Sequence, residues 1–218
     1  AAQPVTLPGK KLPRRKKKRF STPRNITALI LREMSTRYGR TPGGYIWAVV
    51  EPIAAILFLS FGFSLLLRSP SLGTSFVLFY ASGYLVLHFY LSIAGPVSQA
   101  IQFSKPLLRY PAVNWMDSLL ARLILNSLTG IAVAVILLTV IVLCIDVSTV
   151  FDIPPIIEAF SLAILVSFGV GCLNCCLFGL FPAWQLVWNI LTKPLFIASG
   201  VIFIYEDLPR FAQDVLWW

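Results

Sequence analysis

The sequence predicts an all-α integral membrane protein, a polytopic bundle of membrane-spanning helices. Of its 218 residues, 57% are hydrophobic and only 12% are charged, with a mean hydropathy of +0.80. Soluble domains carry about 25% charged residues. Five apolar segments are separated by short polar stretches, and they cover 46–67, 76–95, 118–145, 156–181 and 187–204. Since about 20 apolar residues cross a bilayer as a helix, these segments predict a multi-pass protein.

The chain begins with a basic tail that leads into an amphipathic helix. Residues 1–20 contain several prolines and the basic run Lys16–Arg19, which predicts a flexible tail attracted to anionic membrane lipids. No folded nucleic-acid-binding module accompanies this tail, so nucleic acid is not an expected partner. Residues 21–40 predict a helix lying flat at the membrane interface, because apolar residues collect on one side: Ile26, Ile30, Leu31, Met34 and Tyr38.

The distribution of positive charge predicts how the protein is oriented. Twelve of the 18 Lys and Arg residues lie in residues 1–40, and the polar stretch 146–155 contains none. Because cytoplasmic loops carry the excess of basic residues, the N-terminus is expected in the cytoplasm. The transmembrane region then covers 41–218.

The fifth apolar segment differs from the other four. Lys193 and Pro194 interrupt it, and proline removes a backbone hydrogen bond and kinks a helix. A short, interrupted span before a polar stretch predicts a helix that turns back within the membrane, which requires shielding by surrounding protein.

One acidic residue lies in the first predicted span. Glu51 is about one turn inside it, where an unpaired carboxylate costs on the order of 3 kcal/mol unless it is paired or hydrated. A structural ion pair with Arg122, near the start of the third span, is the expected arrangement. Arg109 is a second possible partner for this carboxylate, and direct contact with a transported molecule is the alternative role.

Aromatic residues crowd the first two predicted spans. Their rings stack on the apolar faces of sugars, and tyrosine hydroxyls form hydrogen bonds with sugar hydroxyls. The alternative is that they pack between helices or face lipid. The one histidine, His88, is either a hydrogen-bonded residue at a helix contact or part of the conduit. The candidate conduit residues are Trp47, Glu51, Phe58, Phe61, Tyr80, Tyr84, His88 and Tyr90.

The sequence carries no pattern of a nucleotide-hydrolysing or metal-dependent enzyme. It lacks the phosphate-binding pattern GxxxxGK[ST], and it has no His and Cys spacing that predicts a metal site. Paired carboxylates or a Ser, His and Asp constellation are also missing from the sequence. If transport is driven by ATP, a different chain is expected to bind it.

Several blocks resemble the type-2 ABC exporter permease family, and most closely its capsular polysaccharide export branch. The similarity covers about residues 26–218, and its first block is the most specific. The matching blocks are Leu31–Gly39, Gly44–Pro52, Leu107–Val113, Lys193–Phe196 and Ser199–Gly200.

The resemblance implies a homodimeric, non-catalytic permease with two ATP-binding subunits as partners. Those subunits would bind ATP and Mg, so this chain needs no cofactor of its own. The cargo would be a lipid-linked acidic polysaccharide crossing the bacterial inner membrane between the two protomers. Periplasmic export machinery is a further partner that the resemblance allows.

The resemblance also assigns roles to particular segments. It implies an interfacial helix over Thr22–Tyr38 and a coupling helix over about Val97–Leu108. An outer re-entrant segment is implied over about Ser199–Trp218, followed by a sixth span that is absent from the sequence given. The expected contacts to the ATPase subunit are Arg32, Glu33, Arg37, Tyr38, Gln99, Gln102, Lys105 and Arg109.

The expected function is therefore the permease subunit of an exporter for capsular or related polysaccharide. Export of O-antigen, teichoic acid or lipid by the same architecture is the nearest alternative. A membrane-embedded glycolipid enzyme would need clustered acids or a histidine base near the interface. A passive channel or scaffold would work without ATP.

Overall fold

The computed structural model describes residues 21–37, 43–66, 75–109, 113–144, 152–199 and 201, and every regular element within them is a helix. This confirms the predicted all-α class. The basic tail and residues 38–42 lie outside the described residues, and the cytoplasmic location of the N-terminus stays a prediction. The helices are α1 (Ser21–Arg37), α2 (Ile46–Leu66), α3 (Phe76–Ser98), α4 (Ala100–Ser104), α5 (Trp115–Cys144), α6 (Ile153–Leu180) and α7 (Trp184–Ala198).

Four helices in the described part are long and apolar enough to cross a membrane: α2, α3, α5 and α6. Each lies where the sequence predicted a span, with ends that differ by up to three residues. The helix α3 runs through Pro96 to Ser98, and Gln99 then separates it from the short helix α4. A single 3₁₀ turn, Leu107–Arg109, follows. The segment expected as one coupling helix over 97–108 is therefore divided among the end of α3, the short helix α4 and the 3₁₀ turn.

The helix α7 is continuous where the sequence predicted an interruption. It contains Pro194 and continues to Ala198, with a length of 15 residues. Proline removes one hydrogen bond of a helix, and in a membrane this loss is tolerated when neighbouring groups satisfy the freed carbonyl. The predicted break at Lys193 and Pro194 is therefore wrong. Most of the expected re-entrant segment, from residue 202 onward, lies outside the described residues.

The bundle is organised around α3, which contacts α2, α5 and α6. One buried cluster joins it to α2 and α5 and contains Ile56, Ala81, Leu85, Val133, Leu137 and Ile141. The second cluster joins it to α5 and α6 and contains Phe89, Ile93, Val97, Ala100, Leu119 and Cys175. Large aliphatic side chains on the outer faces are exposed, among them Leu57, Leu143 and Leu165. An apolar outer surface of this kind is expected of helices that face lipid.

Two glycines set how closely α3 approaches its neighbours. A Cβ atom on Gly130 of α5 would lie 2.5 Å from the ring of Phe89, and one on Gly171 of α6 would lie 2.8 Å from Val97. Small residues at helix contacts allow this close approach in membrane proteins. The fold therefore depends on glycine at both positions.

The amphipathic helix α1 packs against α5. Ile26, Ile30 and Met34 are half-buried, which agrees with the predicted apolar side of this helix. Leu31 is 67% exposed, so its assignment to that side is wrong. It lies one position from Ile30, or about 100° around the helix, which separates it from the half-buried side.

Candidate conduit cavity and helix-docking network

Arg122, near the start of α5, joins three separate helices. Its side chain is buried, and its Nη2 donates to the Glu33 carboxylate of α1, with N–O distances of 3.0 and 3.2 Å. Its Nη1 donates to the carbonyl oxygen of Pro96 in α3 at 2.6 Å. Its guanidinium carbon lies 4.8 Å from the centre of the Phe103 ring in α4, within cation–π range. One side chain therefore connects α1, α3 and α4 to α5.

A second polar contact holds α1 on α5. The buried carboxylate of Asp117 accepts hydrogen bonds from the Asn25 side-chain amide at 3.4 Å and from the backbone N–H of Asn114 at 3.3 Å. Asp117 lies about one and a half turns before Arg122, so the two contacts are spaced along α5. The helix α1 is thus fixed at two points, by Asn25 and by Glu33.

Hydroxyl groups attach α4 to the same end of α5. The hydroxyls of Ser104 and Ser118 are hydrogen-bonded to each other, and Ser118 also donates to the carbonyl oxygen of Ala100 at 3.2 Å. Both serines are buried. The helices α1 and α4 therefore converge on the first turns of α5, and this part of the molecule is called the α1 end below.

The ion pair predicted between Glu51 and Arg122 is wrong, because Arg122 pairs with Glu33 instead. The helix α1 lies across the first turns of α5, which brings Glu33 to the buried guanidinium. The exposed side chain of Glu51 lies on α2 and faces a cavity further along the bundle. Arg109, the other suggested partner, has a side chain outside the described residues.

A cavity of about 500 Å³ lies between α2, α3 and α5. Trp47 and Glu51 of α2, Tyr84 and His88 of α3 and Asn126 of α5 line it. The rings of Tyr84 and His88 are stacked, with centres 5.7 Å apart and planes inclined by 27°. The wall therefore combines ring faces with a carboxylate, a phenol, an imidazole and an amide, which together accept and donate hydrogen bonds.

Backbone geometry at the start of α2 places Trp47 in this wall. Gly43 and Gly44 have φ angles of +95° and +43°, a region that L side chains rarely adopt. A Cβ atom on Gly43 would also lie 3.0 Å from Nε1 of Trp47. The turn 43–45 therefore requires glycine to lead the chain into α2 with the indole at the cavity.

The structure brings four of the predicted conduit residues together and separates the other four. Trp47, Glu51, Tyr84 and His88 share the cavity. Tyr80 is 1% exposed and packs among Phe63, Phe76 and Phe79, so it is a core residue of the chain and its prediction as a conduit residue is wrong. Phe58 and Phe61 lie exposed on α2, and Tyr90 lines a second cavity.

The residues expected to contact an ATPase subunit also have different environments. Arg32, Gln102 and Lys105 are exposed at the α1 end. Glu33 is directed inward to Arg122, and Gln99 lines the second cavity, so neither side chain is directed outward. Tyr38 and the side chains of Arg37 and Arg109 lie outside the described residues.

Sequence reasoning missed Asn25, Asp117 and Asn126. Asp117 carried a signal, because it is an acidic residue in the first turn of an apolar helix, a position that favours negative charge. Asn126 donates to the backbone carbonyl of Arg122 at 2.7 Å while lining the cavity. This bond is local to α5, between positions four residues apart, and it places the cavity wall one turn from Arg122.

Comparison with known proteins decides the family. The model of the ABC-2 type transporter family matches residues 24–218. The chain belongs to this family. Polysialic acid transport protein KpsM from Escherichia coli is 30% identical over 193 residues, which cover 88% of this chain and 75% of that protein.

Two further relatives carry names of the same kind. Capsule polysaccharide export inner-membrane protein BexB of Haemophilus influenzae is 27% identical over 89% of this chain and 74% of its own length. Capsule polysaccharide export inner-membrane protein CtrC of Neisseria meningitidis serogroup B is 27% identical over 88% of this chain and 72% of its own length. The predicted relationship of this ABC-2 type transporter to capsule export permeases is confirmed.

Proposed function

We propose that this chain is the non-catalytic permease subunit of an ATP-driven exporter that moves a lipid-linked capsular polysaccharide across the bacterial inner membrane. Two copies assemble with two ATP-binding subunits, and the N-terminus lies in the cytoplasm. The observation that carries the proposal is the family match over residues 24–218, together with relatives named for polysialic acid transport and capsule export.

The cavity between α2, α3 and α5 suits the passage of a sugar polymer. Trp47 and Tyr84 offer ring faces to sugar rings, while Glu51 and Asn126 offer hydrogen-bonding groups for hydroxyls. A carboxylate in the wall repels the acidic groups of an acidic polymer. Ring stacking and single hydrogen bonds are weak, replaceable contacts. Together with this repulsion, they favour sliding of the polymer over tight binding at one position.

The docking network provides a physical route from a partner to the cavity. Exposed Arg32 on α1 and exposed Lys105 after α4 belong to the two elements that converge on Arg122. Asn126, one turn further along α5, lines the cavity and is bonded to the Arg122 backbone. A partner that binds one arrangement of α1 and α4 more tightly shifts the equilibrium between conduit conformations.

Purification of the full-length tagged chain from its native host in mild detergent tests this proposal. We expect a stoichiometric partner that contains the GxxxxGK[ST] pattern and hydrolyses ATP. A chain that purifies alone after gentle crosslinking would contradict the exporter and favour a channel or a glycolipid enzyme. The cargo is tested separately, by complementing strains that lack a capsule, O-antigen or teichoic acid export permease.

A further inference from the structure

We infer that a second cavity, between α3 and α7, binds an anionic, hydroxyl-rich headgroup through Lys193. The shared chemistry is a phosphate or carboxylate on a polyol, supplied by a membrane lipid or by the acidic sugar of the cargo. This inference deepens the proposed function, on which it rests, by naming the chemical group that the permease recognises.

The cavity has the size and lining of a ligand site. Its volume is about 400 Å³, within the roughly 300–1,000 Å³ of small-molecule sites. It lies toward the α1 end, between the last turns of α3 and the α7 helix. Tyr90 and Trp188 contribute aromatic rings, and the polar lining includes Gln99, Gln185, Asn189 and Lys193.

Lys193 supplies a positive charge that the described structure leaves uncompensated. Its side chain is exposed, and it lies about 14 Å along the axis from Trp184 on a helix whose polar residues line the cavity. No carboxylate among the described residues forms an ion pair with it. In membrane proteins, ionisable residues of this kind face the protein interior or a water-filled cavity, where they mark ligand or ion pathways. An anion in the cavity would compensate this charge.

Three amides add donors beside this charge. Gln99 lies between α3 and α4, whereas Gln185 and Asn189 lie one turn apart on α7. Within the described ranges, no side-chain hydrogen bond occupies any of these amides. Each carries two N–H donors and a carbonyl acceptor, a combination that suits phosphate or carboxylate oxygens and neighbouring hydroxyls.

The helix α7 is attached to α6 at its first turn, and the cavity beside the rest of α7 stays open. The Trp184 indole N–H donates to the buried Asn174 side chain of α6 at 3.0 Å, which fixes the first turn of α7. Lys193 lies more than two turns further along this helix. The cavity therefore separates α3 from α7, while a hydrogen bond to α6 holds α7 in place.

A binding measurement on the full-length permease in nanodiscs tests the site without any ATPase or transport step. In phosphatidylcholine discs, a sialic acid tetramer and neutral maltotetraose are titrated by calorimetry. In discs doped with phosphatidylglycerol, the retained lipids are counted by native mass spectrometry. Failure of the proposed exporter would leave these results interpretable, because neither readout needs a partner.

We expect Lys193→Gln to weaken anion binding about tenfold or more, because it removes a charge-assisted hydrogen bond, and Lys193→Arg to retain it. Arg24→Gln removes one positive charge from the exposed face of α1 and serves as the charge-matched control, with unchanged tetramer affinity. If Lys193→Gln weakens tetramer binding, the ligand is the sugar acid of the cargo. If it lowers the number of retained phosphatidylglycerol molecules, the ligand is a lipid phosphate. Tetramer binding no tighter than maltotetraose binding excludes the sugar acid as the ligand. The inference is overturned if a folded Lys193→Gln matches the wild type in both tetramer affinity and phosphatidylglycerol retention.

Discussion

The ion pair between Glu33 and Arg122 gives the sharpest prediction about the docking network. The side chains are 23% and 5% exposed, and breaking a buried pair by removing one partner costs about 3–5 kcal/mol. Glu33→Gln keeps an acceptor for the guanidinium, and Glu33 is partly solvated, so we expect a loss of about 1–2 kcal/mol. Arg122→Gln also removes the contacts to Pro96 and Phe103, and we expect a loss of about 3 kcal/mol.

The two substitutions should not be additive. Once Arg122 is gone, Glu33 has lost the partner that the structure describes for it, so the double variant should be less destabilised than the sum by about 1–2 kcal/mol. The measurement is equilibrium unfolding of the full-length chain, from mixed micelles into denaturing detergent, followed by tryptophan fluorescence. Glu158→Gln, at an exposed glutamate in α6, is the matched control and should change stability by less than about 0.5 kcal/mol. Additivity within that margin would refute the ion pair as the fixing contact.

Three further predictions concern the cavity, the helix packing and the partner contact. Glu51→Gln should reduce export, because the wall loses the charge that repels the acidic polymer, without lowering the amount of permease in the membrane, measured by surface polysaccharide and immunoblot; normal export would remove Glu51 from the conduit. Gly130→Ala should destabilise the chain by about 1–3 kcal/mol because the added methyl meets the Phe89 ring, and an unchanged unfolding midpoint would contradict that contact. Arg37→Ala should reduce co-purification of the ATPase subunit while Arg24→Ala does not, and equal recovery of the partner with both variants would exclude Arg37 from the interface.

The positions of the membrane-spanning helices could be predicted from the sequence because hydropathy alone sets them. A bilayer requires long apolar segments with internally satisfied backbones, so α2, α3, α5 and α6 were visible before any packing was known. The continuity of α7 could not be predicted from the sequence, since the effect of Pro194 on the helix depends on the groups around it. The pattern at 193–194 indicated a break, and the helix continues through it.

The sequence could not predict which charged side chains pair or which aromatic side chains are buried, as two cases show. Glu33 has Arg37 four residues later on its own helix, whereas Glu51 has no basic residue within four positions. The packing of α1 against α5 decides that Arg122 pairs with Glu33. Tyr80 and Tyr84 lie one turn apart on the same side of α3. Packing by Phe63, Phe76 and Phe79 buries Tyr80, whereas Tyr84 lines the cavity. Spacing gives the side of a helix, but tertiary packing decides what covers each position.

If this chain forms the membrane conduit for a lipid-linked polysaccharide, its loss should hold the polymer inside the cell. The most direct measurement is to delete its gene in the native host and to quantify lipid-linked polysaccharide inside and outside the cell. We predict that the polymer accumulates in the cytoplasm and disappears from the surface, and that the wild-type chain restores export. Unchanged surface polysaccharide, with no accumulation inside, would exclude this chain as the conduit.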